Sequence, residues 1–258
     1  MNIAVCISSR LRSSWNISIP YIINYFKKYN CNFDYFFTTS NIVVNRHKIW
    51  GDSYISYIQD DDISKVKEYL QPKVFYIENN YCDIDKLLEN YNDVDLFKKD
   101  NYYYLYQLFS MELCNNLKNK YSIENNIKYD VVFKIRPDMI LINHIDNNKI
   151  LDHLNSLEDC IYTFEHNEER MSDCFFYGND FTVNKFLKDA IDKIICEYKD
   201  TQSEIRSEYG FRLLAKLSDV KIKSSSDKLY SICLRKSATI DMSINQLKEL
   251  EHKDQRGC

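Results

Sequence analysis

Lys134, Arg136 and Asp138 stand at alternate positions in the run YDVVFKIRPD, residues 129–138, whose other members are mostly strand-forming. A strand made only for a core has no use for two cations and a carboxylate. In an extended chain alternate side chains share a face, so the three would form a row on one side. Pro137 cannot donate a sheet hydrogen bond, so pairing should end or bulge there. Asp138 would then lie at the strand's carboxyl end, where open α/β sheets bind ligands. A carboxylate there can hold a divalent cation, and cations beside it can face a diphosphate. The structural alternative is an Arg–Asp or Lys–Asp pair that closes the sheet edge.

Other stretches carry polar groups with chemical use. In SSRLRSS, residues 8–14, the hydroxyls of Ser8 and Ser9 and the guanidiniums of Arg10 and Arg12 could rest against a phosphate near a helix N-terminus. A solvated turn with a serine cap is the other reading. Thr38 and Thr39 end the second expected strand and could touch a base or ribose. Asp173 precedes the apolar run CFFYG and could act as general base on a substrate hydroxyl, or simply close a turn. Glu204 and Glu208 share a helical face at spacing four, as a second carboxylate near the site or as a solvated surface.

Three tripeptides have DxD spacing, Asp60–Asp62, Asp83–Asp85 and Asp93–Asp95, which can bring two carboxylates to one metal–diphosphate. The first precedes a helical pattern, where aspartates suit free N–H groups and the helix dipole. No strand delivers the other two. Tyr102, Tyr103, Tyr104 and Tyr106 lie in one helical run and read as packing residues, with an aromatic platform for sugar as the alternative.

These residues need elements to place them. Strands are expected at residues 2–7, 33–39, 73–78, 129–142, 160–165 and 173–178. Helices are expected at 16–29, 60–72, 101–121, 182–198 and 204–217, the third with Leu105, Phe109, Leu113 and Leu117 on one stripe. Residues 40–59 look less regular. The alternation predicts an α/β fold, one Rossmann-like mixed sheet flanked by helices, over residues 1–235. Residues 236–258 read as a helical extension and polar tail, which could pack on the domain or pair two copies into a homodimer.

Composition narrows the function. The chain has 258 residues, 45% hydrophobic and 28% charged, which suits a folded protein with a sizeable core. A formal net charge of -4 gives no overall basic field for nucleic acid. No apolar run reaches the roughly 18 residues of a membrane span, and MNIAVCISSRLR reads as a first strand rather than a secretory signal. A cytoplasmic protein is expected. Nine cysteines, with no CxxC pair, read as free thiols rather than zinc ligands or disulfides. With four glycines there is no GxGxxG and no GxxxxGK[ST], and neither HExxH nor GxSxG occurs.

In order along residues 2–235, IAVCISSRLR, FDYFFTTS, YQLFSMELCNNLKNKY followed by YDVVFKIRPDMIL, MSDCFFYGND and SEYGFRLLAKL resemble GT-A-type glycosyltransferases of polysaccharide gene clusters and large DNA viruses. The best anchor is Arg136-Pro137-Asp138. The resemblance implies a GT-A-like fold that transfers a sugar from a nucleotide-diphosphate donor to a glycan or other hydroxyl acceptor. It implies Asp138 as the ligand of Mn²⁺ or Mg²⁺ or of the donor, and Arg136 orienting it or the diphosphate. Ser8–Arg12 would border the nucleotide, Lys134 and Glu208 the substrate, and Asp173 would be the base of an inverting enzyme. A viral source would place it in host cytoplasm. Arg136 stands where the first aspartate of a DxD would be, which puts the metal in question. A nucleotide- or glycan-binding module without turnover is the alternative. A nucleotidyltransferase would want a glycine-rich phosphate loop that this sequence lacks.

Overall fold

The computed structural model describes residues 1–11, 14–46, 53–78, 99–143, 145–163, 171–201, 207–225 and 229–233, with Lys86 and Glu89. In chain order the elements are β1 (Asn2–Ser8), α1 (Trp15–Phe26), β2 (Asn32–Ser40), β3 (Ile42–Arg46), β4 (Ser53–Tyr57), α2 (Asp60–Leu70) and β5 (Val74–Glu78). There follow α3 (Lys99–Glu124), β6 (Val131–Ile135), β7 (Met139–Asn143), α4 (Asn147–Asn155), β8 (Cys160–Thr163) and β9 (Phe175–Asn179). The last are α5 (Asp180–Leu187), α6 (Ala190–Thr201), α7 (Ser207–Leu217), β10 (Lys221–Ser224) and β11 (Leu229–Cys233).

Seven strands make one mixed sheet in the order β10-β8-β9-β6-β1-β2-β5. Every neighbouring pair is parallel except those of β9, which runs antiparallel to both β6 and β8. The chain steps outward from β1 to β2 and β5, then returns through α3 to β6 on the other side of β1. The order therefore reverses between β1 and β6, and the crevice at their carboxyl ends is where such sheets take ligands. In β1, Ala4 and Cys6 join the core beneath α3, α5, α6 and α7, while Ile3, Val5 and Ile7 join the core beneath α1, α2 and α4. Burial on both faces explains its nearly unbroken apolar run. Phe133 of β6 stacks on its cross-strand partner Tyr177 of β9, ring centres 5.1 Å apart, which fixes that antiparallel register.

The α/β sheet with helices on both faces is as the sequence predicts, and several details differ. Residues 129–142 form two strands rather than one, with β7 paired to β11 outside the main sheet. Residues 182–198 hold two helices, because Lys188 turns extended and Asp189 takes a left-handed φ of 51°. The irregular stretch contains the antiparallel pair β3–β4. On α3 the fully buried stripe is Leu105, Leu108, Met111 and Cys114, and Phe109, Leu113 and Leu117 lie on its half-buried flank. Pro20 falls in the second turn of α1. The expected extension over residues 236–258 lies outside the described residues. Among the described residues, no helix is long and apolar enough to cross a membrane.

Candidate functional site

β6 ends at Ile135 because residues 136–139 close a turn, in which the N–H of Met139 donates to the Arg136 carbonyl at 3.2 Å. Pro137 supplies no N–H to continue the ladder. The first turn of α1 pins this reversal, since the Ser18 hydroxyl donates to the Pro137 carbonyl. Asp138 therefore does not continue an extended row. It folds back on Arg136, whose Nε donates to Oδ1 at 3.0 Å and Nη2 to Oδ2 at 2.6 Å. That fork is the bidentate geometry in which guanidinium and carboxylate match best. Asp138 is 3% exposed and the Arg136 side chain 14%, so the carboxylate is buried and the guanidinium is partly open to solvent.

The same guanidinium faces a second carboxylate. Arg136 Nη1 lies 3.7 Å from Oδ2 of Asp173, just before β9. The Cys174 thiol donates to Asp173 Oδ1 at 2.9 Å. From α3, Gln107 Nε2 donates to the Asp173 carbonyl at 2.8 Å, and Lys134 Nζ reaches the same carbonyl at 3.4 Å. Thus Lys134, Arg136, Asp138 and Asp173, four residues singled out by sequence, meet at one place. Lys134 pairs with Cys6 in the β1–β6 ladder and is 1% exposed. Burial, then the Arg136 charge, pull its pKa from 10.5 to about 7, against the opposing pull of Cys174, Asp173 and Asp138. Burial disfavours the Arg136 charge as well, but Asp138, Cys174 and Asp173 outweigh it and hold the guanidinium charged.

The β1 end forms the neighbouring wall. Ser8 is fully buried, and its Oγ has no hydrogen-bond partner among the described residues. Ser9 holds a φ of 127°, a region that L residues rarely occupy, while its N–H faces the Thr38 carbonyl at 3.4 Å. Arg10 is buried, with its guanidinium 5.0 Å from the Tyr106 ring centre. Thr39 Oγ1 accepts from the N–H of Leu11 at 3.1 Å, and Thr38 Oγ1 donates to the Ser110 carbonyl at 3.1 Å. The two threonines thus tie the β1 loop and α3 to the end of β2. Arg12 lies outside the described residues, as does Glu204.

Glu208 is half-buried in the first turn of α7, and its carbonyl accepts from the N–H of Met171 at 3.1 Å. This bond sets the start of α7 beside the segment leading to Asp173. Tyr104 and Tyr106 are buried, as packing residues should be. Tyr104 does more than pack: its Oη is buried without a partner among the described residues, and burial and the Asp173 charge both push its pKa up. Gln107, Ser18 and Cys174 were not singled out by sequence. The one available signal for Gln107 is its spacing of three from Tyr104 on α3. Asp60, Asp61 and Asp62 occupy the first turn of α2, with Asp61 bonded to Lys65 at 2.5 Å, so the first DxD decorates a helix end. The other two decoys lie outside the described residues.

Mn²⁺ or Mg²⁺ would need several oxygen ligands. Both Asp138 oxygens already receive Arg136, so with the fork closed neither is left unbonded for an ion. Among the described residues, Asp138 with its fork closed does not fit the ion. What the arrangement can do is hold an anion against Arg136 and a protonated Lys134, with the Asp173 carboxylate close by and Asp138 fixing the guanidinium. No family model and no curated protein matches the sequence.

Proposed function

We propose that the chain is a glycosyltransferase that moves a sugar from a nucleotide-diphosphate donor to a hydroxyl of a glycan or other acceptor. The observation that carries this reading is the Lys134–Arg136–Asp138–Asp173 cluster, with Lys134 and Asp138 buried and Arg136 and Asp173 partly exposed, at the point where the strand order reverses. The donor would lie across the carboxyl ends of β1, β2 and β6, with the nucleotide bordered by the β1 loop. Buried cations act strongly on charge that develops beside them, because little water screens them.

In the proposed step the Asp173 carboxylate takes the proton of the acceptor hydroxyl. The acceptor oxygen bonds to the anomeric carbon from the face opposite the leaving group, and the bond from that carbon to the diphosphate oxygen breaks. The electron pair stays on the diphosphate, where Arg136 and Lys134 offset it. Asp138 touches no substrate in this scheme; its fork fixes the plane of Arg136. The resemblance to GT-A enzymes points the same way. Cytoplasmic location and self-association through residues 236–258 belong to this proposal.

A binding module on the same fold is the second reading. It is favoured by the engagement of both Asp173 oxygens, one by Cys174 and the other facing Arg136. Incubating the full chain with a panel of sugar nucleotides, with nucleoside diphosphate release and melting temperature both followed, separates the two. Release that Asp173→Asn suppresses supports transfer. A melting shift without release supports a nucleotide-binding module, and neither response from any donor refutes both that module and the transferase.

A further inference from the structure

We infer that Arg136 is the resident cation of this site, standing where a divalent metal ion would otherwise bridge carboxylate and diphosphate, so that the donor binds without metal. The inference rests on the transferase reading and deepens it.

The argument is one of position and count. The guanidinium lies between two carboxylates, forked onto Asp138 at 3.0 and 2.6 Å and 3.7 Å from Asp173 Oδ2. An ion that joined these carboxylates to a diphosphate would have to occupy that same space. Lys134, two residues earlier on the strand, adds a second, buried positive group at the Asp173 carbonyl. With Lys134 protonated, the two side chains together carry the formal charge of one Mn²⁺ or Mg²⁺. Arginine also keeps its charge at any working pH and presents planar donors that match phosphate oxygens. The turn at residues 136–139, held by Ser18 of α1, keeps Asp138 folded onto Arg136.

The test uses the full chain and two probes. Calorimetric titration with UDP, GDP, CDP and ADP is run in EDTA and again in Mn²⁺. Titration with Mn²⁺ alone is followed by the spin resonance of the free ion. The expected result is a diphosphate affinity that agrees within about threefold between EDTA and Mn²⁺, with Mn²⁺ remaining free in the absence of nucleotide. Arg136→Asp removes the cation and supplies a second carboxylate two residues before Asp138. It is expected to take up Mn²⁺ and to bind diphosphate only in its presence. Diphosphate bound about tenfold or more tightly in Mn²⁺ by the unaltered chain overturns the inference. So does Mn²⁺ uptake by that chain that Asp138→Asn abolishes. The first of these results comes from the unaltered chain, so it stands even where Arg136→Asp or Asp138→Asn fails to fold. Should no nucleotide bind under either condition, the transferase reading falls, and the Mn²⁺ titration alone still decides whether this site takes a metal.

Discussion

Replacing Lys134 by methionine removes a buried ammonium while keeping a side chain of similar length. Burial, first of all, lowers the pKa of Lys134 from 10.5 to about 7 in the fold. A lysine whose folded pKa lies below its unfolded one binds its proton more weakly in the native state. The unfolded chain therefore holds more protons between about pH 7 and 10.5, and the wild type gains stability as pH rises across that window. At about 1.4 kcal/mol per unit of pKa, the charged amine costs roughly 5 kcal/mol at pH 6 and roughly 2 at pH 9. The 3.4 Å bond to the Asp173 carbonyl returns about 1 kcal/mol of this. Lys134→Met should therefore be the more stable protein near pH 6, by roughly 2–4 kcal/mol, and its advantage should shrink by about 3 kcal/mol by pH 9. Urea unfolding of both proteins at matched pH measures this difference, and comparing the two cancels the buried thiols and tyrosines that titrate alike in each. A difference that is flat with pH, or a variant that is less stable near pH 6, would refute the reasoning. The same variant should lose donor binding, which would mark Lys134 as a group that costs stability and serves the ligand.

Sugar-nucleotide affinity should fall as pH rises above about 7, by up to about tenfold per pH unit, because binding must then protonate Lys134; titration across this range that shows no fall contradicts it. Gly210→Ala would set its Cβ 2.4 Å from Tyr104 Cζ, so thermal unfolding should show a loss of about 1–3 kcal/mol, with turnover impaired through displaced Tyr104. Ser9→Gly relieves the φ of 127° and should stabilise the chain by about 1 kcal/mol in urea unfolding. Arg136→Gln leaves the buried Asp138 carboxylate without its fork and should cost about 3–5 kcal/mol, read as a drop in the urea midpoint.

Much of the sheet can be read from local pattern. The apolar runs of β1, β2, β5, β6 and β9, and the periodicity of α1, α2 and α3, declare themselves within a few residues. What they do not declare is spatial order. That β9 slots antiparallel between β6 and β8 depends on contacts such as Phe133 on Tyr177, which are remote in sequence. The residues of the site were legible as odd charges in apolar company, but their geometry was not. Alternation predicts a straight row, whereas Ser18 of α1 secures a turn at Pro137 and swings Asp138 onto Arg136. Gln107 meets Asp173 across 66 residues, and no local spacing encodes that meeting. Ser8 and Ser9 could be named as loop residues, yet the left-handed φ of Ser9 is invisible in a sequence where glycine would be the usual signal.

The most direct test of the account is a crystal structure of the chain soaked with a donor nucleotide. The diphosphate should lie over the carboxyl ends of β1 and β6, within hydrogen-bond reach of Arg136 and facing Lys134, with the Arg136–Asp138 fork still closed. A nucleotide bound elsewhere on the molecule, with this crevice left to solvent, would contradict it.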